Sequence, residues 1–198
     1  MKYYEVDKKT IGTTKYCDPH IMESSSWSNE KLWRNKYEKL HELPIPYYVQ
    51  NKYEPKDYAT LYPRLVSRRL LDIIKTLNKD YEALEIQMYY QGKQRDLRGQ
   101  KLWDMYYTMI FPEYEVFSWE YSEYTKDISY VTGKEIVTNL KKAVLDKSKV
   151  EILPKENNLF CLAEKKIVLV CTETAKQAIE AAHITGIAFI ELEVRKRV

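Results

Sequence analysis

Five carboxylates lie close together in the middle of the chain, with one lysine, Lys126, among them. They are Glu113, Glu115, Glu120, Glu123 and Asp127. If this stretch is a strand, Glu113 and Glu115 share one face, because alternate side chains point the same way. Two carboxylates on one face can divide the roles of general acid and general base. We favour a solvated acidic edge, since charge commonly protects strand edges. An acid–base enzyme is the alternative.

A basic polar stretch runs from Gln91 to Lys101, bracketed by Gly92 and Gly99. Its charged side chains are Lys93, Arg95, Asp96, Arg98 and Lys101. The spacing of the glycines does not match a phosphate-binding loop. The stretch is interpreted as a solvated loop, a protein contact or, together with a face formed by Arg64 and Arg68, a nucleic-acid contact. The chain has 32 basic and 29 acidic residues, a balance that disfavours a dedicated nucleic-acid binder.

Histidines and cysteines do not show the spacing of a catalytic or metal site. The three histidines, one of them His183, are isolated, and the three cysteines are too few for a disulfide framework. Cys161 and Cys171 fall in two apolar runs, so we expect buried thiols that pack as small apolar groups. No common catalytic motif is present. The sequence therefore predicts a protein that is not an enzyme and uses no cofactor or metal.

Aromatic residues are distributed unevenly. All 18 tyrosines lie at or before Tyr130, and all four tryptophans at or before Trp119. No linker marks the change, so we predict a single domain over 1–198, with an aromatic-rich lobe (1–130) and a compact C-terminal lobe (131–198). No apolar stretch resembles a signal peptide or reaches the ~20 residues needed to span a bilayer. We expect a cytoplasmic protein without a membrane span.

The elements of the first lobe are predicted from periodicity. The first 60 residues are weakly patterned, with a strand from Lys2 to Val6, a helix within Trp27–Leu43, and an extended, proline-rich segment after it. A helix is predicted from Pro63 to Lys79, with an apolar face and Arg64 and Arg68 on its solvated back. Strands are predicted at Leu84–Met88, Trp103–Ile110 and Tyr114–Trp119.

The C-terminal lobe has clearer signals. Thr132-Gly133-Lys134-Glu135 resembles a capping box and predicts a helix through Val144. Leu159–Ala163 and Ile167–Cys171 predict a hairpin. A helix is predicted from Thr172 or Thr174 to Thr185, with Gly186 just past its end and a strand over Ala188–Val194. This strand–helix–strand order predicts parallel strands with others between or beside them. The fold class is α+β: a mixed sheet flanked by three to four helices, with an aromatic-rich, irregular N-terminal segment.

Several of these segments resemble the immunity-protein domains of bacterial polymorphic toxin systems. In those families a strand and an amphipathic helix are followed by Thr-Gly-x-x-Phe entering a last strand, as in Thr185–Phe189 here; the Leu-Val-Ser start of a helix matches Arg64–Ser67. Further matching segments are Asp104–Tyr107, Val116–Ser122, Leu159–Leu162, Ile167–Thr172 and Ala178–Ile184. The resemblance implies a non-enzymatic protein that binds and blocks a cognate toxin in the producing cell. It carries no catalytic residues over.

The residue types that anchor protein interfaces are Trp, Tyr and Arg. We therefore predict a toxin-binding surface on the first lobe, although aromatics that simply fill its core are the alternative. The candidate residues are Trp27, Trp33, Lys93, Arg95 and Arg98. No nucleic-acid partner is expected. The net charge of +3 favours a target that is not a strongly basic nuclease, since such a target would attract an acidic inhibitor.

Overall fold

A computed structural model describes residues 1–8, 45–49, 56–59, 64–90, 100–101, 106–128 and 135–196. The helix predicted within Trp27–Leu43 lies outside these residues. The strands are β1 (Tyr3–Lys8), β2 (Ile45–Val49), β3 (Tyr58–Ala59), β4 (Leu65–Ser67), β5 (Glu82–Tyr90), β6 (Gln100–Lys101), β7 (Tyr106–Ile110), β8 (Glu113–Tyr114), β9 (Glu123–Ile128), β10 (Glu135–Lys142), β11 (Val144–Asp146), β12 (Leu159–Leu162), β13 (Lys165–Thr172) and β14 (Ile187–Arg195). The helices are α1 (Arg68–Leu77), α2 (Lys147–Val150) and α3 (Glu173–Ala181).

The central sheet has six strands in the order β11-β14-β1-β13-β12-β8. β1 is antiparallel to both of its neighbours, so β13 and β14 run parallel to each other with β1 between them. This arrangement confirms the predicted crossover, in which α3 connects the parallel strands β13 and β14 and another strand, β1, lies between them. β12 and β13 form the predicted antiparallel hairpin.

Alternating side chains of the central sheet bury two cores. Tyr4 and Val6 of β1 contribute to a helix-side core, which also contains Leu70 and Ile74 of α1 and Ile179 of α3. On the opposite face, a turn-side core is built from the following residues: Tyr3, Phe117, Leu145, Phe160 and Leu192. Because both faces are covered, β13 is apolar on both sides through its second half.

A second six-stranded sheet has the order β2-β5-β7-β4-β3, with β6 also paired to β5. β2 is parallel to β5, and the other pairings are antiparallel. β9 and β10 form a separate two-stranded ribbon. The fold is thus α+β with mixed sheets. The described part of the chain has three helices, but one is a single turn, so it has only two longer helices against the three to four expected.

The predicted helix from Pro63 starts later than expected. Residues 65–67 form strand β4, and Ser67 caps α1 by accepting a hydrogen bond from the Leu70 amide (3.2 Å). Arg64, predicted on a solvated basic face, is only 3% exposed. Its Nη2 donates to the carbonyl oxygens of Lys166 (2.9 Å) and Ile167 (2.7 Å). Arg64 therefore does not belong to the predicted basic face, whereas Arg68 is exposed on α1 as expected.

The helix predicted from the Thr132–Glu135 capping box is also wrong. Residues Glu135–Lys142 form β10, paired with β9. The β-branched residues of this stretch favour a pleated strand, and cross-strand pairing outweighs a local capping signal. The predicted strand Tyr114–Trp119 is likewise shorter: β8 ends at Tyr114, Phe117 makes one bridge to Leu145, and the chain then turns at Trp119.

Helix α3 begins as predicted, because Thr172 caps it by accepting from the Ala175 amide (3.4 Å). It ends at Ala181 rather than Thr185. The first residue with a positive φ after the helix is His183 (φ 52°), and Gly186 (φ 87°) lies further on, just before β14. None of the helices in the described part of the chain has the length and apolar character needed to cross a bilayer.

The two cysteines of the predicted hairpin are free and buried, as expected. Cys161 is opposite Leu169 and Cys171 is opposite Leu159, so the two thiols are not cross-strand partners. Burial raises the pKa of Cys171 to about 12. A thiol with such a pKa is a poor nucleophile at neutral pH.

Candidate protein-binding surface

The predicted partner-binding residues all lie outside the described part of the chain. They are Trp27, Trp33, Lys93, Arg95 and Arg98. Their role in binding stays a prediction.

The five carboxylates of the 113–127 stretch are all exposed, and only Glu123 and Asp127 share an element, strand β9. Glu113 lies on the edge strand β8 and pairs with Lys166 (2.8 Å). Glu115 follows the end of that strand, so the two do not share a strand face as the alternation predicted. Exposure at a sheet edge agrees with the solvated acidic edge that we favoured. Among the described residues, no group of three or more His, Cys, Asp or Glu is placed to hold a metal ion.

The most distinctive surface feature is a cluster of rings and one cation, which we call the Trp119 platform: Phe117, Trp119, Tyr124 and Lys126. The Trp119 ring meets Phe117 (centroids 5.0 Å apart) and Tyr124 (5.1 Å) edge to face. Lys126 Nζ lies 4.5 Å from the Trp119 ring centroid. Phe117 is buried, whereas Trp119 is 41% exposed. The platform therefore presents an exposed indole in a fixed orientation.

Backbone hydrogen bonds hold the turn that carries Trp119. The amide of Ser118 donates to the Val144 carbonyl (2.8 Å), and the amide of Ser122 donates to the Ser118 carbonyl (3.1 Å). The Ser122 hydroxyl accepts from the Val144 amide (2.9 Å). Strand β11 thus holds both ends of the turn that carries the indole.

The ribbon β9–β10 supports the platform from the other side. Tyr124 is opposite Leu140, and Lys126 is opposite Val137. The pairing shifts register between Val137 and Asn139. At this irregularity Lys165 Nζ donates to the carbonyl oxygens of Val137 (2.8 Å) and Thr138 (2.9 Å). One lysine from β13 therefore fastens the ribbon to the central sheet.

One hydrogen bond joins the platform to the turn between β12 and β13, and Tyr121, which precedes β9, contacts charged residues of β14. The Phe117 amide donates to Glu164 Oε1 (3.4 Å), and burial raises the pKa of that carboxyl. The Arg195 guanidinium lies 5.0 Å from the Tyr121 ring centroid and pairs with Glu193. Glu193 also forms an ion pair with Lys142 (2.8 Å). This arrangement provides a rigid, mixed aromatic and charged surface suited to binding.

Sequence reasoning missed this surface because it assigned Trp119 to a strand. Ser118 and Ser122, one on each side of Trp119, were the signal that this segment forms a turn. Serine side chains often bond to nearby backbone and favour turns.

The Thr-Gly-x-x-Phe motif that contributed to the resemblance has a structural role. Asp57 Oδ2 accepts from the Thr185 amide (2.8 Å) and hydroxyl (2.8 Å), and Asp57 Oδ1 accepts from the Ser67 hydroxyl (2.7 Å). Phe189 packs edge to face on Tyr4, with centroids 6.5 Å apart. The motif thus joins the start of β14 to the 56–58 segment and to the helix-side core.

We expect Asp57→Asn to lower the free energy of unfolding by about 2 kcal/mol at pH 7, since a neutral amide cannot accept all of these hydrogen bonds. Burial raises the pKa of Asp57, but hydrogen bonds from Thr185 and Ser67 and the charge of Arg69 hold it below 3.8. Its stabilisation is therefore full above pH 3.8 and is lost as the pH falls through the lower folded value.

Urea denaturation of both proteins across this pH range checks the prediction. The difference in unfolding free energy between parent and variant should shrink as the pH falls. Asp127→Asn, at an exposed carboxylate, is the matched control and should show a small difference at every pH. A constant difference for Asp57→Asn would mean that its charge does not contribute.

No model of a known protein family matches the chain, and no curated protein matches it. The resemblance to immunity-protein domains therefore depends on the segments quoted above.

Proposed function

We propose that the protein is a non-catalytic immunity protein that binds and neutralises a cognate secreted bacterial toxin in the cytoplasm of the producing cell. The observation that carries the binding role is the Trp119 platform. Exposed tryptophan side chains that are held in place bind with a small loss of conformational freedom. The resemblance of Thr185–Phe189 and the other quoted segments supports the immunity role.

The position of the basic residues weakens the nucleic-acid alternative. Arg64 is buried, and Arg68 forms an ion pair with Asp72 (3.1 Å) and donates to the Tyr107 hydroxyl (3.1 Å). Arg64 is therefore not placed to neutralise phosphates, which are the main source of nucleic-acid affinity. Lys93, Arg95 and Arg98, which this alternative also uses, lie outside the described part of the chain.

We expect cells that express the toxin domain encoded beside this gene to survive only when this protein is co-expressed. Survival is expected because the protein and the toxin domain form a stable complex, which should elute as one species in size-exclusion chromatography. Colony counts with and without the protein measure the protection.

Two outcomes would contradict the proposal: a neighbouring gene without a toxin domain, or equal cell death in both cultures. A double variant, Arg95→Ala with Arg98→Ala, tests the surface predicted on the first lobe in the same assay. It should leave the thermal melt nearly unchanged and weaken protection if that surface binds the toxin.

A further inference from the structure

We propose that the Trp119 platform docks on a cationic patch of a protein partner, with the indole entering an apolar pocket ringed by Lys and Arg. The identity of that partner as a toxin rests on the proposed function, whereas its chemistry rests on the surface described here.

The stretch around the platform is acidic. Residues 113–128 contain five acidic residues and one lysine, a net charge of 1 − 5 = −4, whereas the whole chain carries +3. All five carboxylates are exposed. The stretch that carries the exposed indole thus has a charge opposite to that of the chain. Charge complementarity speeds encounter and selects partners of opposite sign.

Three cations in or near the platform already have partners within the chain. Lys126 lies over the Trp119 ring, Lys142 pairs with Glu193, and Arg195 lies over Tyr121. In contrast, Glu115, Glu120 and Glu123 form no ion pair with any residue in the described part of the chain. These carboxylates are available to a partner.

An apolar surface extends from the platform along β9. Tyr124, Lys126 and Ile128 follow one another at alternate positions of β9 and so share a face. Ile128 is 61% exposed, which extends the apolar surface along the ribbon from Trp119. An apolar centre with a charged rim is the usual composition of a protein interface.

The sign of the charge selects among partner classes. Nucleic acids and anionic lipid surfaces carry phosphates, which exposed carboxylates repel. A cationic protein patch around an apolar pocket can pair with the carboxylates and bind the indole. Such a patch is local, so it is compatible with a target whose overall charge is not strongly positive.

A random-peptide phage library selected on the immobilised protein tests the chemistry without knowledge of the toxin. We expect enriched peptides to combine Lys or Arg with apolar residues. Their affinity should fall at least about thirtyfold on Trp119→Ala. Glu120→Gln combined with Glu123→Gln should weaken binding about tenfold at low salt, with a smaller effect at high salt.

Matched controls separate binding from folding. Ile167→Ala removes an exposed apolar side chain from the helix-side face of β13, and Glu180→Gln removes an exposed charge from α3. Both should bind the selected peptides like the parent. Thermal melting identifies any variant that fails to fold, and the glutamine variants change charge without changing size.

Four results would overturn the inference: no enrichment, enrichment of acidic peptides, peptides that bind Trp119→Ala like the parent, or Trp119-dependent binding of an oligonucleotide or anionic vesicle. A fifth is a dimer, seen by sedimentation, that dissociates on Trp119→Ala, because a second copy of this chain would then occupy the surface. Selected basic peptides without toxin protection would contradict only the proposed function. Protection that is unchanged in Trp119→Ala would contradict only this inference.

Discussion

Gly186→Ala is expected to lower the free energy of unfolding by about 3 kcal/mol, one of the largest effects of any single substitution in the described part of the chain. Gly186 has φ 87°, a conformation that side chains with a Cβ rarely adopt. An added Cβ would overlap the Tyr58 carbonyl oxygen and lie 2.9 Å from Lys56 Cβ. Because that oxygen belongs to the backbone, the 56–58 segment would have to move and would disturb the Asp57–Thr185 hydrogen bonds.

Urea denaturation monitored by circular dichroism measures this loss. His183→Gly is the matched control, because His183 also has a positive φ (52°) but is exposed. Glycine there should leave stability unchanged or raise it by about 0.5 kcal/mol. A Gly186→Ala protein as stable as the parent would show that the 56–58 segment does not pack against the start of β14.

Asn78→Leu is expected to destabilise the protein by about 3 kcal/mol, because it leaves a buried backbone amide and carbonyl without partners. Asn78 is 4% exposed and follows α1. Its Oδ1 accepts from the Leu159 amide (2.8 Å), and its Nδ2 donates to the Leu159 carbonyl (2.6 Å). The Asn78 side chain thus makes the two backbone hydrogen bonds with Leu159 that a neighbouring strand would otherwise make.

The same denaturation experiment checks this prediction. Asn139→Leu on β10 replaces an exposed amide and should change the free energy of unfolding by less than about 0.5 kcal/mol. Equal midpoints for Asn78→Leu and the parent would mean that Leu159 finds other partners when the side chain is removed.

Local patterns predicted the elements whose signals lie within one segment. The apolar face of α1, the cap at Thr172, the hairpin β12–β13 and the last strand all follow from periodicity or turn chemistry. The capping box before Glu135 failed because its segment pairs with β9, and pairing depends on residues beyond any local window. The role of Gly186 was misassigned for a similar reason, since its close neighbour Tyr58 is remote in sequence.

The candidate surface was less predictable than the fold. The residues around Trp119 have the composition of a strand. The exposure of Trp119 depends instead on the hydrogen bonds between Ser118, Ser122 and Val144. The sequence also placed Arg64 in solvent, although two carbonyls of β13 accept its hydrogen bonds inside the protein. Side-chain environments of this kind depend on tertiary contacts, which periodicity does not contain. The binding role of Arg95 and Arg98 stays a prediction.

The position of β1 has a consequence for the timing of synthesis. Tyr3 pairs with Thr172 on one side and with Leu192 on the other. During translation at roughly 5 to 20 residues per second, β1 leaves the ribosome about ten seconds or more before its partners exist. Sheets closed by such distant pairs also fold slowly. If the proposed function holds, protection begins only after translation of the whole sheet, so the producing cell must make this protein ahead of active toxin.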